Sequence, residues 1–262
     1  MDIYLYLEKN TFIHRLHPIT KIFCLFLLFI LAMIFNHPFY ASIILLFVFI
    51  IIGLSKSLYN LYRIRTVLIL LMIFCSVLWT FFTKGSTIIW ESGFIKVYKE
   101  SLFYAVSMGL RLATVLICGM IFLSCTKIEE FSAGLNKLGL PFSMSFALSL
   151  AFRLVPTFTV TTETVIQAQK SRGLDLESGG ILKRIKKHAP LIIPIFIYSI
   201  RNADLLAMAL ESKSFGSRKL RTYYYNYKAN LIDYLVLVFL LVLDIICIYI
   251  KLKGFGVVII NV

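Results

Sequence analysis

The sequence predicts an all-α polytopic membrane protein, with about five transmembrane helices and a cytoplasmic module of two long polar helices. Hydrophobic residues make up 60% of the chain and charged residues only 15%, whereas about a quarter of a soluble domain is charged. Several long apolar runs carry no polar face, which a soluble helix needs. Basic residues lie beside these runs, as membrane topology requires.

The net charge of +14 points to the membrane surface and not to nucleic acid, because of where the charges lie. Positions 126–231 hold 15 of the 27 Lys and Arg residues against 7 acidic ones. The segments predicted to be external carry only five basic residues. Cytoplasmic loops are enriched in Lys and Arg, so we expect region 126–231 and the N-terminus to be cytoplasmic and the C-terminus to be external.

Five apolar runs are candidate transmembrane spans. They are Ile22–Phe35, Phe39–Leu54, Val67–Thr83, Ser101–Cys125 and Ile232–Ile250. The first two are short for a span of about 20 residues; two helices joined by a tight outer turn are favoured over a re-entrant hairpin. We therefore predict a four-span region at 1–125, a cytoplasmic coupling region at 126–230, and a final span with the C-terminus at 231–262.

Two ionisable residues fall inside predicted spans, where a charge is costly. Arg111 lies near the middle of the fourth span, and Asp244 lies within the last one. Arg111 has either a functional role or a structural one, facing the bundle interior and bonding to backbone carbonyls. Asp244 is expected to be paired or to face a crevice. Arg15 and Lys21 are expected at headgroup level, beside the first span.

The cytoplasmic region begins with signals for helix termini. Thr126 and Glu129 match a capping box that would open a helix over 127–137, and Gly139-Leu140-Pro141 would end it. The segment 142–155 is predicted to be a short apolar helix that embeds in the bilayer without spanning it. Arg153 and Pro156 are expected to bend the chain into the polar helix that follows.

Two polar helices are predicted near 157–172 and 191–214, and their C-terminal ends are alike. The first ends in Ala168-Gln169-Lys170-Ser171-Arg172-Gly173, and the second in Ala209-Leu210-Glu211-Ser212-Lys213-Ser214. Each presents a cation beside small residues that allow close approach of another protein. Two interpretations stay open for these cations: docking of a partner, or snorkelling and stabilisation of the helix C-terminus.

The motifs of common enzymes and metal sites are missing from the sequence. It contains no G-x-x-x-x-G-K-[ST], H-E-x-x-H or G-x-S-x-G, and its five cysteines form no C-x-x-C pair. His14 and His17 are interpreted as packing at the membrane surface and not as a metal site. We predict no catalytic residues, metal or cofactor. The basic cluster Lys183–His188 favours contact with anionic lipid, with docking of an acidic partner as the alternative.

Several motifs together resemble the transmembrane T component of energy-coupling factor transporters. The motifs are His14-Arg15-Leu16-His17-Pro18-Ile19-Thr20-Lys21, Leu138-Gly139-Leu140-Pro141, Phe152-Arg153-Leu154-Val155-Pro156, and the two helix ends. The two helix ends are similar to the two Ala-Arg-Gly motifs of that family. The resemblance runs from about Phe12 to Leu235, and its motifs occur in the family's order.

The resemblance implies an importer of the ABC type, for a vitamin or a transition-metal ion, in a bacterial or archaeal cell membrane. In that family the T component joins two ATP-binding subunits, identical or different, to a substrate-binding membrane S component within the lipid bilayer. Two crossing coupling helices dock on the ATPases through the arginine of each motif. ATP hydrolysis belongs to those partners, so the chain itself would not be an enzyme.

Carried over residue by residue, the resemblance assigns ATPase docking to two triplets. They are Ser171, Arg172 and Gly173, and Ser212, Lys213 and Ser214. Ala168, Arg153, Pro156 and Glu211 are supporting residues of the coupling helices. The first triplet departs from Ala-Arg-Gly only at Ser171, whereas the second departs at all three positions. Lysine lacks the planar fork of arginine, which predicts an asymmetric pair of contacts with the Lys213 end weaker.

A stand-alone secondary transporter is the alternative function, with Arg111 and Asp244 as its intramembrane charges. Such a protein is expected to show an internal repeat with broken helices near the midplane, and the sequence shows none. If another chain contains the substrate pocket, this sequence does not identify the transported compound.

Overall fold

The computed structural model describes residues 6, 7, 9, 11–83, 85, 87–92, 95–175, 178, 180–216 and 229–256, with residues 89–92, 95–97 and 181–186 described by their backbone alone. After a short 3-10 helix at Ile13–Arg15, the elements follow in chain order. They are α1 (Pro18–Ile34), α2 (Pro38–Ser55), α3 (Leu58–Phe82), β1 (Ile88–Ser92), β2 (Ile95–Tyr98), α4 (Lys99–Cys125), α5 (Ile128–Lys137), α6 (Phe142–Ser171), α7 (Ile181–Ser212) and α8 (Leu231–Leu252).

This helical architecture confirms the predicted fold class. Among the described residues six helices, α2, α3, α4, α6, α7 and α8, are long and apolar enough to cross a membrane, and α1 is a shorter apolar helix of 17 residues. The segment predicted to be an external loop contains one antiparallel hairpin, β1–β2. The chain divides into two compact units, Met1–Leu140 with Tyr227–Val262, and Pro141–Asn226. The predicted boundaries between the membrane regions and the cytoplasmic region, at 125 and 230, stay predictions.

The first two apolar runs form two separate helices, each opened by a His-Pro pair. Pro18 and Pro38 occupy the first helical position of α1 and α2, where a missing N–H costs nothing. The Nδ1 atom of His17 accepts a hydrogen bond from the backbone N–H of Ile19 at 3.2 Å, and His37 does the same for Phe39 at 3.3 Å. The pair therefore sets the start of both helices by local chemistry.

Helices α3 and α4 form a closely packed antiparallel pair. The Oγ atom of Ser101 donates to the carbonyl of Thr83 at 2.8 Å at one end, and Asn60 Nδ2 donates to Ser124 Oγ at 2.7 Å at the other. Between these ends, a side chain at Gly109 would collide with Ser76. Small residues and side-chain hydrogen bonds are the usual means by which membrane helices associate.

Two of the expectations for helix boundaries are wrong. Helix α6 runs without a break from Phe142 to Ser171, with Pro156 inside it, so the predicted short apolar helix does not end before the polar helix; the bend at Arg153 and Pro156 stays a prediction. A proline removes only one backbone hydrogen bond, and long apolar helices tolerate that loss. Helix α7 begins at Ile181, ten residues before the predicted start at 191, and contains Pro190 and Pro194.

The predicted capping box at Thr126 and Glu129 is also wrong. Helix α5 begins at Ile128 with Lys127 as its N-cap and without a side-chain cap. Thr126 instead occupies the C-cap position of α4, so its backbone is committed to ending one helix and cannot open the next in capping geometry. The acidic residue of α5 that makes a defined tertiary contact is Glu130.

Lys21 lies buried in the protein, and its predicted position at headgroup level stays a prediction. Its side chain is 3% exposed. The Nζ atom donates to the carbonyl of His14 at 2.8 Å, to the carbonyl of Cys125 at 2.9 Å and to Glu130 Oε2 at 2.8 Å. An ammonium group has three N–H donors, so all three are used. These bonds tie α1 to the segment before it, to the end of α4 and to α5.

Arg111, nearer the middle of α4, is half-buried and bonds less completely than Lys21, because its Nε has no partner among the described residues. Its Nη2 atom donates to the carbonyl of Phe35 at 2.8 Å and to Asn36 Oδ1 at 2.5 Å. The backbone N–H of Asn36 donates to the carbonyl of Gly256, at 3.0 Å, just beyond α8. Arg111 therefore fastens α4 to the connection between α1 and α2, which favours the structural interpretation of this charge.

We expect the substitution Lys21→Met to destabilise the protein by about 3 kcal/mol or more, because it leaves the Glu130 carboxylate and two carbonyl oxygens without their donor. At about 2–4 °C per kcal/mol for a chain of this size, the unfolding midpoint of the purified protein in detergent should fall by roughly 10 °C. Thermal unfolding followed by circular dichroism measures this shift.

Lys137→Met is the matched control, because Lys137 is an exposed lysine at the end of α5, and its Nζ lies 3.2 Å from His17 Nε2. Its midpoint should fall by less than half as much. Equal shifts for the two variants would contradict a dominant role for the Lys21 contacts.

Candidate functional site

Helices α6 and α7 fold back on each other, so their C-terminal ends lie far apart. A short connection, residues 172–180, joins them. At the other end, the ring of Phe215 lies 6.1 Å from that of Phe142 and 4.6 Å from that of Phe146. The end of α7 therefore contacts the beginning of α6. Because α6 has 30 residues and a helix rises 1.5 Å per residue, Arg172 and Lys213 are separated by about 45 Å.

The first predicted triplet forms the end of α6. Arg172 is the C-cap, and Gly173 adopts a left-handed conformation with φ of 84°. The backbone N–H of Gly173 donates to Lys170 and that of Leu174 donates to Gln169, both at 3.0 Å. This pair of bonds is a Schellman motif, in which the residue after the C-cap is usually glycine. The triplet thus places its cation at the last position of the helix.

The second triplet forms the same motif at the end of α7. Lys213 is the C-cap, and the backbone N–H groups of Ser214 and Phe215 donate to Glu211 at 2.8 Å and to Leu210 at 2.9 Å. Ser214 takes the left-handed position with φ of 54°. A residue with a Cβ is strained there, unlike glycine. The two ends are therefore equivalent in backbone geometry and unequal in side chains.

The docking candidates of the two triplets are exposed, and so are Ala168, Glu211 and Arg153. Ser171 and Ser212 turn their hydroxyls back onto the helix, donating to the carbonyls of Gln167 at 3.1 Å and Ala209 at 2.9 Å. Pro156 is half-buried within α6. Arg153 and Pro156 lie several turns before Arg172 on the same helix, so the fold does not bring them to either triplet.

The Schellman motif alone does not identify a docking site. Gly139 after α5 and Gly254 after α8 make the corresponding pairs of backbone bonds, and Lys253 is the C-cap of α8. The need to end a helix is therefore enough to explain a glycine at the position after the C-cap. What sets α6 and α7 apart is that both ends of one antiparallel pair present an exposed cation in this geometry.

Sequence reasoning missed the aromatic contact that holds the end of α7. Phe215 follows the left-handed residue Ser214, a position that often makes a hydrophobic contact in a Schellman motif. That rule predicts an apolar contact for Phe215 but gives no partner from the far end of α6. The partners, Phe142 and Phe146, are known only once the antiparallel arrangement is known.

The intramembrane charges of the alternative function are not joined by any contact in the described part of the chain. The bonds of Arg111 go to Phe35, Asn36 and Met108. Asp244 is 5% exposed, and its Oδ2 has no hydrogen-bond partner among the described residues. The expected pairing of Asp244 is therefore not found within that part of the chain.

In the basic cluster, the side chains of 183–186 lie outside the described residues. Lys187 is held by the α6–α7 connection, because its Nζ donates to the carbonyl of Ser178 at 2.9 Å and to the Ser178 hydroxyl at 2.7 Å. Asp175 lies 3.9 Å from the same ammonium. Lys187 therefore stabilises the turn that precedes α7.

No group of three or more metal-ligating side chains occurs among the described residues. The ring of His14 contacts Thr11 Oγ1 at 2.6 Å and the carbonyl of Leu7 at 3.1 Å. Burial is the main cause that lowers the pKa of His14 below its ordinary value, although the bond to Leu7 opposes it. The ring nitrogens of His14 therefore bond within the N-terminal segment.

Comparison with known proteins identifies the family. A model described as the cobalt transport protein CbiQ matches residues 9–224. The energy-coupling factor transporter transmembrane protein EcfT of Staphylococcus aureus is 31% identical over 258 residues, which covers 95% of this chain and 96% of the relative. The EcfT proteins of Acidaminococcus fermentans and Streptococcus thermophilus are 31% and 28% identical, over 83% and 94% of the chain and 84% and 97% of the relatives.

The match with the family model extends over most of the chain and includes both helix ends described above. The chain belongs to the CbiQ and EcfT family, the transmembrane components of energy-coupling factor transporters.

Proposed function

We propose that this chain is the subunit of an energy-coupling factor importer that transmits motion from two ATP-binding subunits to a substrate-binding membrane subunit. Its cargo class is a vitamin or a transition-metal ion, and the cargo pocket belongs to the substrate-binding subunit. The chain itself hydrolyses no ATP. It resides in a bacterial or archaeal cell membrane, with its N-terminus in the cytoplasm.

The observation that carries the proposal is the pair of exposed cations at opposite ends of α6 and α7. A separation of about 45 Å gives each cation room to dock on a different subunit, which suits two ATP-binding partners. Each cation is the C-cap of its helix, so a force applied at the docking point acts along the helix axis. Movement of the two ATPases would then tilt the antiparallel pair.

Exposed apolar side chains on α7 favour contact with a membrane partner or lipid. They recur on one face and are each about half exposed or more: Ile192, Ile193, Phe196, Ile197 and Ile200. In a membrane protein such an apolar surface is covered by lipid or by a partner helix. Helix α7, which has Lys213 at its end, therefore also offers a surface for contact with a substrate-binding membrane subunit. Through this contact the subunit would move with the helix.

The experiment that tests the function is reconstitution into liposomes. The chain alone should move no vitamin or metal ion, and uptake should require the two ATP-binding subunits, a substrate-binding subunit and ATP. Co-purification of these partners after detergent extraction gives their number and identity. Uptake by liposomes that contain this chain alone would contradict the proposal and would favour a stand-alone transporter.

We expect Arg172→Ala to reduce assembly with the ATP-binding subunits more than Lys213→Ala does. Arginine binds a carboxylate through two parallel hydrogen bonds, whereas lysine offers a single point charge. Loss of a buried, hydrogen-bonded charge at an interface costs about 2–5 kcal/mol, so the arginine change should weaken binding by at least about thirtyfold. Quantitative co-purification of the subunits measures both effects.

Arg201→Ala is the matched control, because Arg201 is an exposed cation within α7 and far from its end. It should leave assembly unchanged. Equal losses for Arg172→Ala and Lys213→Ala would show that the predicted asymmetry is wrong, and no loss for either would remove the docking role.

We expect Ser214→Gly to stabilise the end of α7, and Gly173→Ala to destabilise the end of α6. Both positions are left-handed, where a Cβ costs about 1 kcal/mol. Amide hydrogen exchange of the last turns of α6 and α7 measures the two effects, with opposite signs expected. Gly180→Ala is the control, since Gly180 precedes α7 with φ of −69° and should show little change. Slower exchange in Gly173→Ala would contradict the strain argument.

A further inference from the structure

An apolar cavity of about 240 Å³ lies among α1, α2, α4 and α8. Leu25 and Leu28 line it from α1, and Ile51 lines it from α2. Its α4 wall extends from Cys118 to Cys125, two helical turns, so the cavity is about 10 Å deep. Its mouth lies near the N-terminal end of α1, where further lining residues, Phe12 and Leu54, are 54% and 64% exposed.

The end of the cavity near the N-terminus of α1 carries a polar group without a partner among the described residues. Thr126 lines the cavity and is 6% exposed, and its Oγ1 has no hydrogen-bond partner among the described residues. Lys21 also lines this end, but its three donors are already used. A buried hydroxyl without a partner is costly. The orphan hydroxyl therefore indicates a missing polar occupant beside the apolar wall.

A second cavity, of about 450 Å³, adjoins the first and is lined by one cation and one carboxylate. The two share Phe12 and Leu16, and the second is also lined by Arg15 and Asp233. Arg15 is exposed and forms no ion pair with the described acidic residues. The Asp233 carboxylate is already engaged, because its two oxygens accept from the backbone N–H groups of His17 at 2.8 Å and Asn230 at 2.7 Å. Arg15 is therefore available for an anion.

The size and surroundings of the first cavity select its occupant. A helix with its side chains is about 10 Å across, so a partner helix 10 Å long would need several times the volume present. An apolar cavity of about 150 Å³ already takes up a molecule the size of benzene. The cavity lies among transmembrane helices, where the surrounding solvent is lipid hydrocarbon, and an empty cavity would forfeit dispersion contacts on its walls.

We propose that these adjoining cavities bind one phospholipid with an anionic headgroup. Part of one acyl chain occupies the apolar cavity among α1, α2, α4 and α8. The glycerol ester region lies near the Thr126 hydroxyl, and the phosphate lies at Arg15. The lipid comes from the leaflet at the N-terminal end of α1, which is the anionic cytoplasmic leaflet in the topology proposed above. The site is independent of the docking ends of α6 and α7.

The experiment uses the full-length chain reconstituted into vesicles of equal amounts of phosphatidylcholine and phosphatidylglycerol. The protein is extracted in mild detergent, and retained lipid is counted by native mass spectrometry. The wild type should retain one phospholipid per chain, predominantly phosphatidylglycerol. Leu25→Trp fills the cavity and Leu54→Trp blocks its mouth, so each should lower retention by about tenfold. Arg15→Gln should abolish the preference for phosphatidylglycerol.

Leu46→Trp is the matched control, because Leu46 is an equally exposed leucine of α2, at 63%, that does not line the cavity. It should retain lipid as the wild type does. Because Leu54 is exposed, its substitution is compatible with folding even where Leu25→Trp overpacks the interior. Retention by Leu54→Trp at the wild-type level, an unchanged preference in Arg15→Gln, or no retained phospholipid in the wild type would overturn the proposal.

Discussion

The ammonium group of Lys21 is the interaction on which the packing around α1 depends. Taking a cation out of water costs several kcal/mol, and this cost is offset only if every donor finds an acceptor. The three acceptors come from the segment before α1, the end of α4 and α5. The Cys125 carbonyl belongs to the negative end of the α4 dipole, which adds to the attraction. If α1, α4 or α5 were displaced, the ammonium group of Lys21 would lose an acceptor. The ammonium group therefore fixes the relative positions of these three helices.

Arg111 makes a second long-range polar contact farther along α4, although its Nε has no partner among the described residues. It lies 14 residues before Cys125, about 21 Å along the helix, and it bonds to the connection between α1 and α2. Lys21 bonds mainly to backbone carbonyls, whereas Arg111 bonds to one carbonyl, one amide oxygen and the Met108 sulfur. Together the two cations hold α4 against α1 at two levels. Charges inside a membrane protein are often functional, but Lys21 and Arg111 mainly stabilise the packing. Asp244 differs, because one of its oxygens has no partner among the described residues.

The local sequence predicted several features correctly because short-range chemistry decides them. Apolar runs separated by polar turns predicted the helices, and Gly173 predicted the end of α6, since a Schellman motif needs a left-handed residue there. Its predictions were wrong where two local signals competed. Thr126 and Glu129 have the spacing of a capping box, yet Thr126 ends α4. Pro156 resembles a helix boundary, yet the apolar and polar halves of α6 form one helix.

The sequence by itself determined the fold class, the family resemblance and the end of α6 at Gly173, because hydropathy and helix-end signals act over a few residues. Only the tertiary structure decided that Lys21 is buried, that Arg111 bonds to the α1–α2 connection, and that Phe215 contacts the beginning of α6. Each of these contacts joins residues far apart in the chain. No local propensity encodes such a contact, which forms only when packed helices bring a donor and an acceptor, or two rings, within reach.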